Sequence, residues 1–314
     1  MKMSMCFRVG LVIIGMIGGM IGFFDRPNAF GYKEMEVKNG GTVSGKIVLK
    51  GPVPEPRIFP LVLYPFGPFC KKISDGEGNV RLKEFIVGKG GALGDAVVAV
   101  KEVKKGKPFQ KIEADFVAVD CMFHPAEVPD EEQYSVKEGK LHHEHPNVTV
   151  LVNHKPISMI NKDPIIHNIQ VFQNEKGNII LNTPLPVSTE PRGGVLHFAP
   201  GKRISQMICG MHEFMQSWGF VVDNPYYTKT KKDGLFNIDQ LPPGTYQITA
   251  WHPHFDIIEK EITVPANGKV EINFEFDATT VERALYETQH QRRISPATPH
   301  DHMLGPKDDR IIID

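Results

Sequence analysis

Between Asn224 and Phe276 the chain breaks at Asp233-Gly234 and again at Pro242-Pro243-Gly244, and the runs around those breaks, such as "TYQITAWH" and "KVEINFEF", alternate apolar and polar residues. Asp-Gly and Pro-Pro-Gly are turn sequences, because glycine accepts the left-handed backbone that tight turns need and proline presets the entry angle. Turns at this spacing leave room for short strands and not for an amphipathic helix with a 3.6-residue period. The spacing therefore predicts a small β-sandwich over residues 224–277.

The same character extends upstream. "GGTVSGKIVLKGPVPEPR" (40–57) begins as an alternating strand through Val43, Gly45, Ile47 and Leu49 and ends in prolines. "LGDAVVAVKEV" (93–103) reads as a strand with a buried centre, and "ISDGEGNVRLK" between them is turn material. These make a first β-rich region, residues 40–113. Residues 114–223 hold further short strands, "DFVAVDCMF", "NVTVLVN", "HNIQVFQ" and "GFVV", with no helical periodicity. Within them "YSVKEGKLHHEHPN" (134–147) is a polar excursion. Its His142, His143 and His145 are expected in a solvated loop that binds metal loosely at most. After Asp277 the pattern stops. Residues 278–314 are expected to form a tail, although its "RIIID" end is too apolar to be exposed without a reason. The 29 glycines and 25 prolines among 314 residues favour the all-β reading throughout, and a formal charge of −1 excludes a nucleic-acid footprint.

The N-terminus reads as an export signal, residues 1–31. Lys2 and Arg8 precede the uncharged run "VGLVIIGMIGGMIGFF", and Ala29 and Gly31 offer small residues for cleavage. The expected location is periplasmic or extracellular, with membrane contact only if the segment stays uncleaved. Export changes the cysteine arithmetic. Cys70, Cys121 and Cys209 remain, an odd number, and an oxidising compartment favours pairing two of them. Cys209 has metal-ligand neighbours, so Cys70 and Cys121 are the candidate disulfide; three separate buried thiols are the alternative.

The chemistry concentrates in "SQMICGMHEFMQSWGFVV" (205–222). Two imidazoles, one thiolate and a weak thioether suit a copper ion that cycles between oxidation states, because such a set limits rearrangement on electron transfer. Cys209 follows an apolar strand, His212 and Met215 come from the short loop expected after it, and His167 starts a strand in "PIIHNIQ". Met211, between two ligands, would have to point away. A thioether is a poor zinc ligand, which favours copper.

An upstream His-Asn pair followed by C-x-x-H-x-x-M before the last strand resembles the cupredoxin pattern, and "CGMHEFM" looks like the short ligand loop of amicyanin. The resemblance implies His167, Cys209, His212 and Met215 as ligands of one type 1 copper, with Asn168 tying the two ligand segments together by hydrogen bonds. Over roughly residues 40–277 the order of motifs is similar to that of cupredoxin-like methylamine utilization proteins with a C-terminal carboxypeptidase regulatory-like domain. The fold this implies is a cupredoxin-like Greek-key β-sandwich over 114–223, then a regulatory-like (transthyretin-like or Ig-like) β-sandwich over 224–277. Two positions depart from that pattern. Glu213 stands where the family usually has proline, and Ala126 in "CMFHPAEV" where a histidine is common. His252 and His254 in "WHPH" are expected at a strand end.

The function implied is single-electron transfer, not catalysis, with a redox protein such as a cytochrome or a dehydrogenase as partner and a surface-exposed His212 as the electron port. No phosphate loop, GxSxG or HExxH motif is present, and the regulatory-like domain brings no peptidase residues. The alternatives are a structural or interaction module of a cell-envelope complex and a copper storage or delivery protein.

Overall fold

A computed structural model describes residues 31–109, 114–125, 135–137, 140–142, 148–173 and 177–282. All but the last residue of the segment expected as an export signal, Ala126, His143, His145 and all but the first residues of the expected tail lie outside them. Strands dominate, and no helix among the described residues is long and apolar enough to cross a membrane.

Two β-sandwiches carry the fold. The first pairs a five-stranded sheet with a four-stranded one. In the five-stranded sheet the order is Val148–Val152, His212–Val222, Ile204–Cys209, His167–Gln173, Ile179–Leu185. In the other it is Ser188–Val195, Pro156–Asn161, Ala114–Val119, Met122–Pro125. Phe116, Ala118, Phe123, Ile157 and Met159 from one sheet meet Leu151, Ile169, Val171, Met207 and Phe214 from the other in one buried core. The alternation visible in "HNIQVFQ" is the cause: Ile169 and Val171 point inward while Asn168 and Gln170 face out.

The second sandwich is assembled from both ends of the chain. One sheet has the order Tyr227–Lys229, Val97–Val100, Gly244–Trp251, Ile258–Val264. In the other, Gly41–Lys50 lies between Leu235–Leu241 on one side and, in parallel, Lys269–Glu271 and Phe274–Asp277 on the other. The expected division into a separate β region at 40–113 and a self-contained sandwich at 224–277 therefore differs from the structure. Strands 41–50 and 97–100 are the central strands of the C-terminal sandwich. The reason is pairing: a lone N-terminal strand would leave its ladder groups unmet, and the C-terminal strands supply partners on both sides. Gly45 allows the approach, since a Cβ there would run into the Ile272 carbonyl.

The rest of the N-terminal region turns the other way. Arg57–Pro60 and Asn79–Leu82 form an antiparallel pair; its Phe59, Val80 and Leu82, with Leu61 and Cys70 from the segment between its strands, enter the core of the first sandwich. The two sandwiches meet through Val97, Ala99, Val148, Val152, Trp218, Phe220 and Trp251. Phe220 and Trp251 stack with centroids 5.4 Å apart, a contact worth about 1 kcal/mol beyond its buried area. Beside this interface Arg57 and Glu84, both buried, form an ion pair. Arg57 also donates to Gln216 Oε1 at 2.8 Å, and Glu84 is 2.8 Å from His254 Nε2. One network thus ties the hairpin to both sandwiches.

Candidate metal centre

Cys209 ends one strand and His212 begins the next, so the connection is only Gly210-Met211. His212 and Met215 therefore lie on a strand and not in the expected loop. The two-residue turn lets Cys209 and His212 pair directly across a register shift at Ile208/Cys209. His167 opens the neighbouring strand, where Ile169 pairs with Cys209.

This places three donors together. His167 Nδ1 and His212 Nδ1 are 3.3 Å apart, and Cys209 Sγ is 3.8 Å from the first and 3.6 Å from the second. Three bonds at 120° of about 2.0–2.1 Å to nitrogen and about 2.3 Å to sulfur would separate nitrogen from nitrogen by about 3.5 Å and nitrogen from sulfur by about 3.8 Å. The donor atoms therefore fit a trigonal first-row metal ion. Among the described residues this is the one cluster of three or more His, Cys, Asp or Glu donors all within 4.8 Å of one another. All three residues are essentially buried. Met215 is fully buried in the same apolar cluster as Cys209, and Met211 packs partly buried against that cluster.

The outer nitrogens of the histidines are held. Asp163, also buried, is 2.9 Å from His167 Nε2 and accepts from the backbone N–H groups of Asp120 and Cys121 at 2.6 and 2.8 Å. Those residues form the positive-φ turn between Ala114–Val119 and Met122–Pro125. Asn161 fixes the Asp163 loop, accepting from the Asp163 N–H and donating to the Ile165 and Leu185 carbonyls. With Asp163 accepting at Nε2, Nδ1 is left free to bind metal. Sequence reasoning missed Asp163; a carboxylate four residues before a ligand histidine was the available signal.

Asn168 joins the segments mainly through its backbone. Its N–H points at Cys209 Sγ at 3.5 Å, and its carbonyl accepts from the Gly210 N–H at 3.0 Å. Its side chain donates to Asn182 Oδ1.

The electrostatics favour a thiolate. Burial alone would push the Cys209 thiol up, but hydrogen bonding with His167 and His212 and with the backbone N–H groups of Asn168 and Met211 outweighs it and brings it down to about 6. Burial alone would likewise lower His167, yet the hydrogen bonds to Asp163 and Cys209 raise it to about 8.

The expectation of a surface-exposed His212 is corrected. Its side chain is fully buried, and its Nε2–H donates to the Pro65 carbonyl at 2.8 Å. The cause is the segment between the two hairpin strands at 57–60 and 79–82, which folds over the imidazole. Cys70 and Cys121 are joined in a disulfide that fastens this segment to the turn held by Asp163, and Cys209 is the free cysteine among the described residues. Lys72 and Asp120 add an ion pair at the same junction.

His252 and His254 fall outside the donor cluster. His252 is buried, its Nδ1 lies 2.8 Å from the Pro253 carbonyl, and burial lowers its pKa to about 3. His254 pairs with Glu84.

Residues 221–277 match the carboxypeptidase regulatory-like domain family. No curated protein matches the chain. Solved structures with partial likeness include a copper-containing nitrite reductase from Thermus scotoductus SA-01, 15% identical over 38% of this chain, with a TM-score of 0.25. The chain spans about a quarter of that enzyme's length, 24%. A purple cupredoxin from Nitrosopumilus maritimus is 17% identical over 35% of this chain and all of its own, with a TM-score of 0.23. An oxidized single-site mutant of amicyanin is 11% identical over 40% of this chain and 98% of its own, with a TM-score of 0.22. The fold and the site together define an all-β protein that contains a carboxypeptidase regulatory-like domain and a buried His-Cys-His group able to hold a metal ion.

Proposed function

We propose that the chain is a type 1 copper protein that carries single electrons to or from a redox protein such as a cytochrome or a dehydrogenase. The observation that carries this reading is the convergence of His167 Nδ1, His212 Nδ1 and Cys209 Sγ at 3.3–3.8 Å in a buried site. Two imidazoles and one thiolate are the donor set that copper accepts in both oxidation states, and Met215 is the proposed axial thioether. Copper bound there supplies the one-electron couple. The residues supply a site that holds its shape: Asp163 and the Pro65 carbonyl fix the ring orientations, and the Asn168 backbone fixes the sulfur.

A carrier role, not catalysis, is part of the proposal. The three donors are closed to solvent, which suits outer-sphere electron transfer and opposes substrate binding at the ion. The motif resemblance to methylamine utilization proteins supports a role beside a periplasmic oxidation system. The Cys70–Cys121 disulfide supports an exported protein, since such bonds persist in oxidising compartments.

Reductive titration tests the reading. The copper-loaded protein should take up one electron per copper, lose its visible colour and regain it on reoxidation. A protein that binds copper but exchanges no electron with any mild reductant refutes the carrier role.

A further inference from the structure

Residues 61–70 form a strap between Arg57–Pro60 and Asn79–Leu82. The strap is built to fold tightly. Leu61–Leu63 makes a 3-10 turn and Gly67–Cys70 a single helical turn, and a Cβ at Gly67 would stand 2.6 Å from the Leu61 carbonyl oxygen. Its middle delivers the Pro65 carbonyl to His212 Nε2. The Phe66 ring lies 6.4 Å from the imidazole, with Phe66 itself 43% exposed, so the strap separates His212 from solvent.

A second contact, next to the first in sequence on both sides, fixes that position. Tyr64 Oη donates to Glu213 Oε2 at 2.9 Å. Tyr64 precedes Pro65, and Glu213 follows His212. The Tyr64 ring also stands edge-on to Phe214 at 5.2 Å, so only the hydroxyl depends on the carboxylate. A proline at position 213 would offer no acceptor for it. The disulfide holds the far end of the strap, but Tyr64 and Glu213 hold the part that touches the ligand.

We propose that Tyr64 and Glu213 are positioning residues for the metal ligand His212: their hydrogen bond latches the strap over the imidazole and sets how slowly the ion leaves. The inference rests on the copper reading. An ion bound by His212 cannot reach a competing chelator until that side is uncovered. A hydrogen bond to a charged group is strong enough to slow such an opening by about tenfold or more.

The test uses the full mature chain loaded with one copper, with Tyr64→Phe, Glu213→Ala and Glu213→Gln as variants. The readouts are the decay of the thiolate–copper absorption under excess EDTA, the copper EPR spectrum and the melting temperature of the metal-free protein. Tyr64→Phe and Glu213→Ala should release copper about tenfold faster or more. Glu213→Gln, whose amide oxygen still accepts from Tyr64, should release more slowly than Glu213→Ala, with melting close to wild type in all three. A changed EPR spectrum in the two fast variants, restored in Glu213→Gln, supports positioning over mere folding. Unchanged release in Tyr64→Phe and Glu213→Ala, or Glu213→Gln as fast as Glu213→Ala, overturns the latch and leaves the copper site standing. A wild-type protein with no thiolate–copper band overturns both.

Discussion

Replacing Cys70 and Cys121 together by alanine removes a cross-link between residues 51 apart in sequence. On the chain-entropy model the cost is about 2.1 plus 1.5R ln n, or roughly 14 cal/mol/K, which is about 4 kcal/mol at room temperature. Both cysteines are buried, so the alanines replace sulfur without drawing in water. For the domain sizes here that corresponds to a melting temperature lower by roughly 8–16 °C. The assay is urea unfolding of the metal-free protein at neutral pH. The chain's two tryptophans, Trp218 and Trp251, lie 6.4 Å apart at the interface of the sandwiches and report by fluorescence. A loss below about 1 kcal/mol would show that the strap is held by its packing and not by the cross-link, and the entropic reasoning would fail.

Gly45→Ala should destabilise the C-terminal sandwich by about 2 kcal/mol or more, because the new methyl meets the Ile272 carbonyl. Hydrogen exchange should show the opening at 269–277 and little at 204–222; exchange unchanged at 269–277 would contradict the placement of strand 41–50 in that sandwich. In the metal-free protein, thiolate absorbance should grow as the pH rises through about 6, a step shared by the Cys209–His167 pair and missing in Cys209→Ser. Because the folded thiol lies below its ordinary value, its contribution to stability is present above that ordinary value and is lost as the pH falls through about 6. A midpoint near the ordinary thiol value would contradict the hydrogen bonding described at the sulfur.

What the sequence carries about this site is its local part. Cys209 and His212 are three residues apart on one hairpin, so their spacing alone brings them together, and the His167-Asn168 pair marks the neighbouring strand. The cover over His212 leaves no such trace. Its key group is the backbone carbonyl of Pro65, 147 positions away, and a main-chain acceptor has no side chain to read. Glu213 stood out as a departure, but its partner Tyr64 lies 149 positions off and gives no periodic signal. Strand content was legible from alternation and turns. Strand partnership was not, because alternation says which face is buried and not which strand lies alongside. "GGTVSGKIVLK" reads as a strand wherever it docks, and only the three-dimensional ladder shows it between Leu235–Leu241 and 269–277.

Optical and EPR spectra of the copper-loaded protein, with metal analysis and a Cys209→Ser control, decide whether His167, Cys209 and His212 form a type 1 copper site. One copper per chain, an intense visible thiolate-to-copper band, an EPR signal of one trigonal site, and loss of the band in Cys209→Ser are expected. A chain that takes up no stoichiometric copper, or one whose colour survives Cys209→Ser, would contradict that assignment.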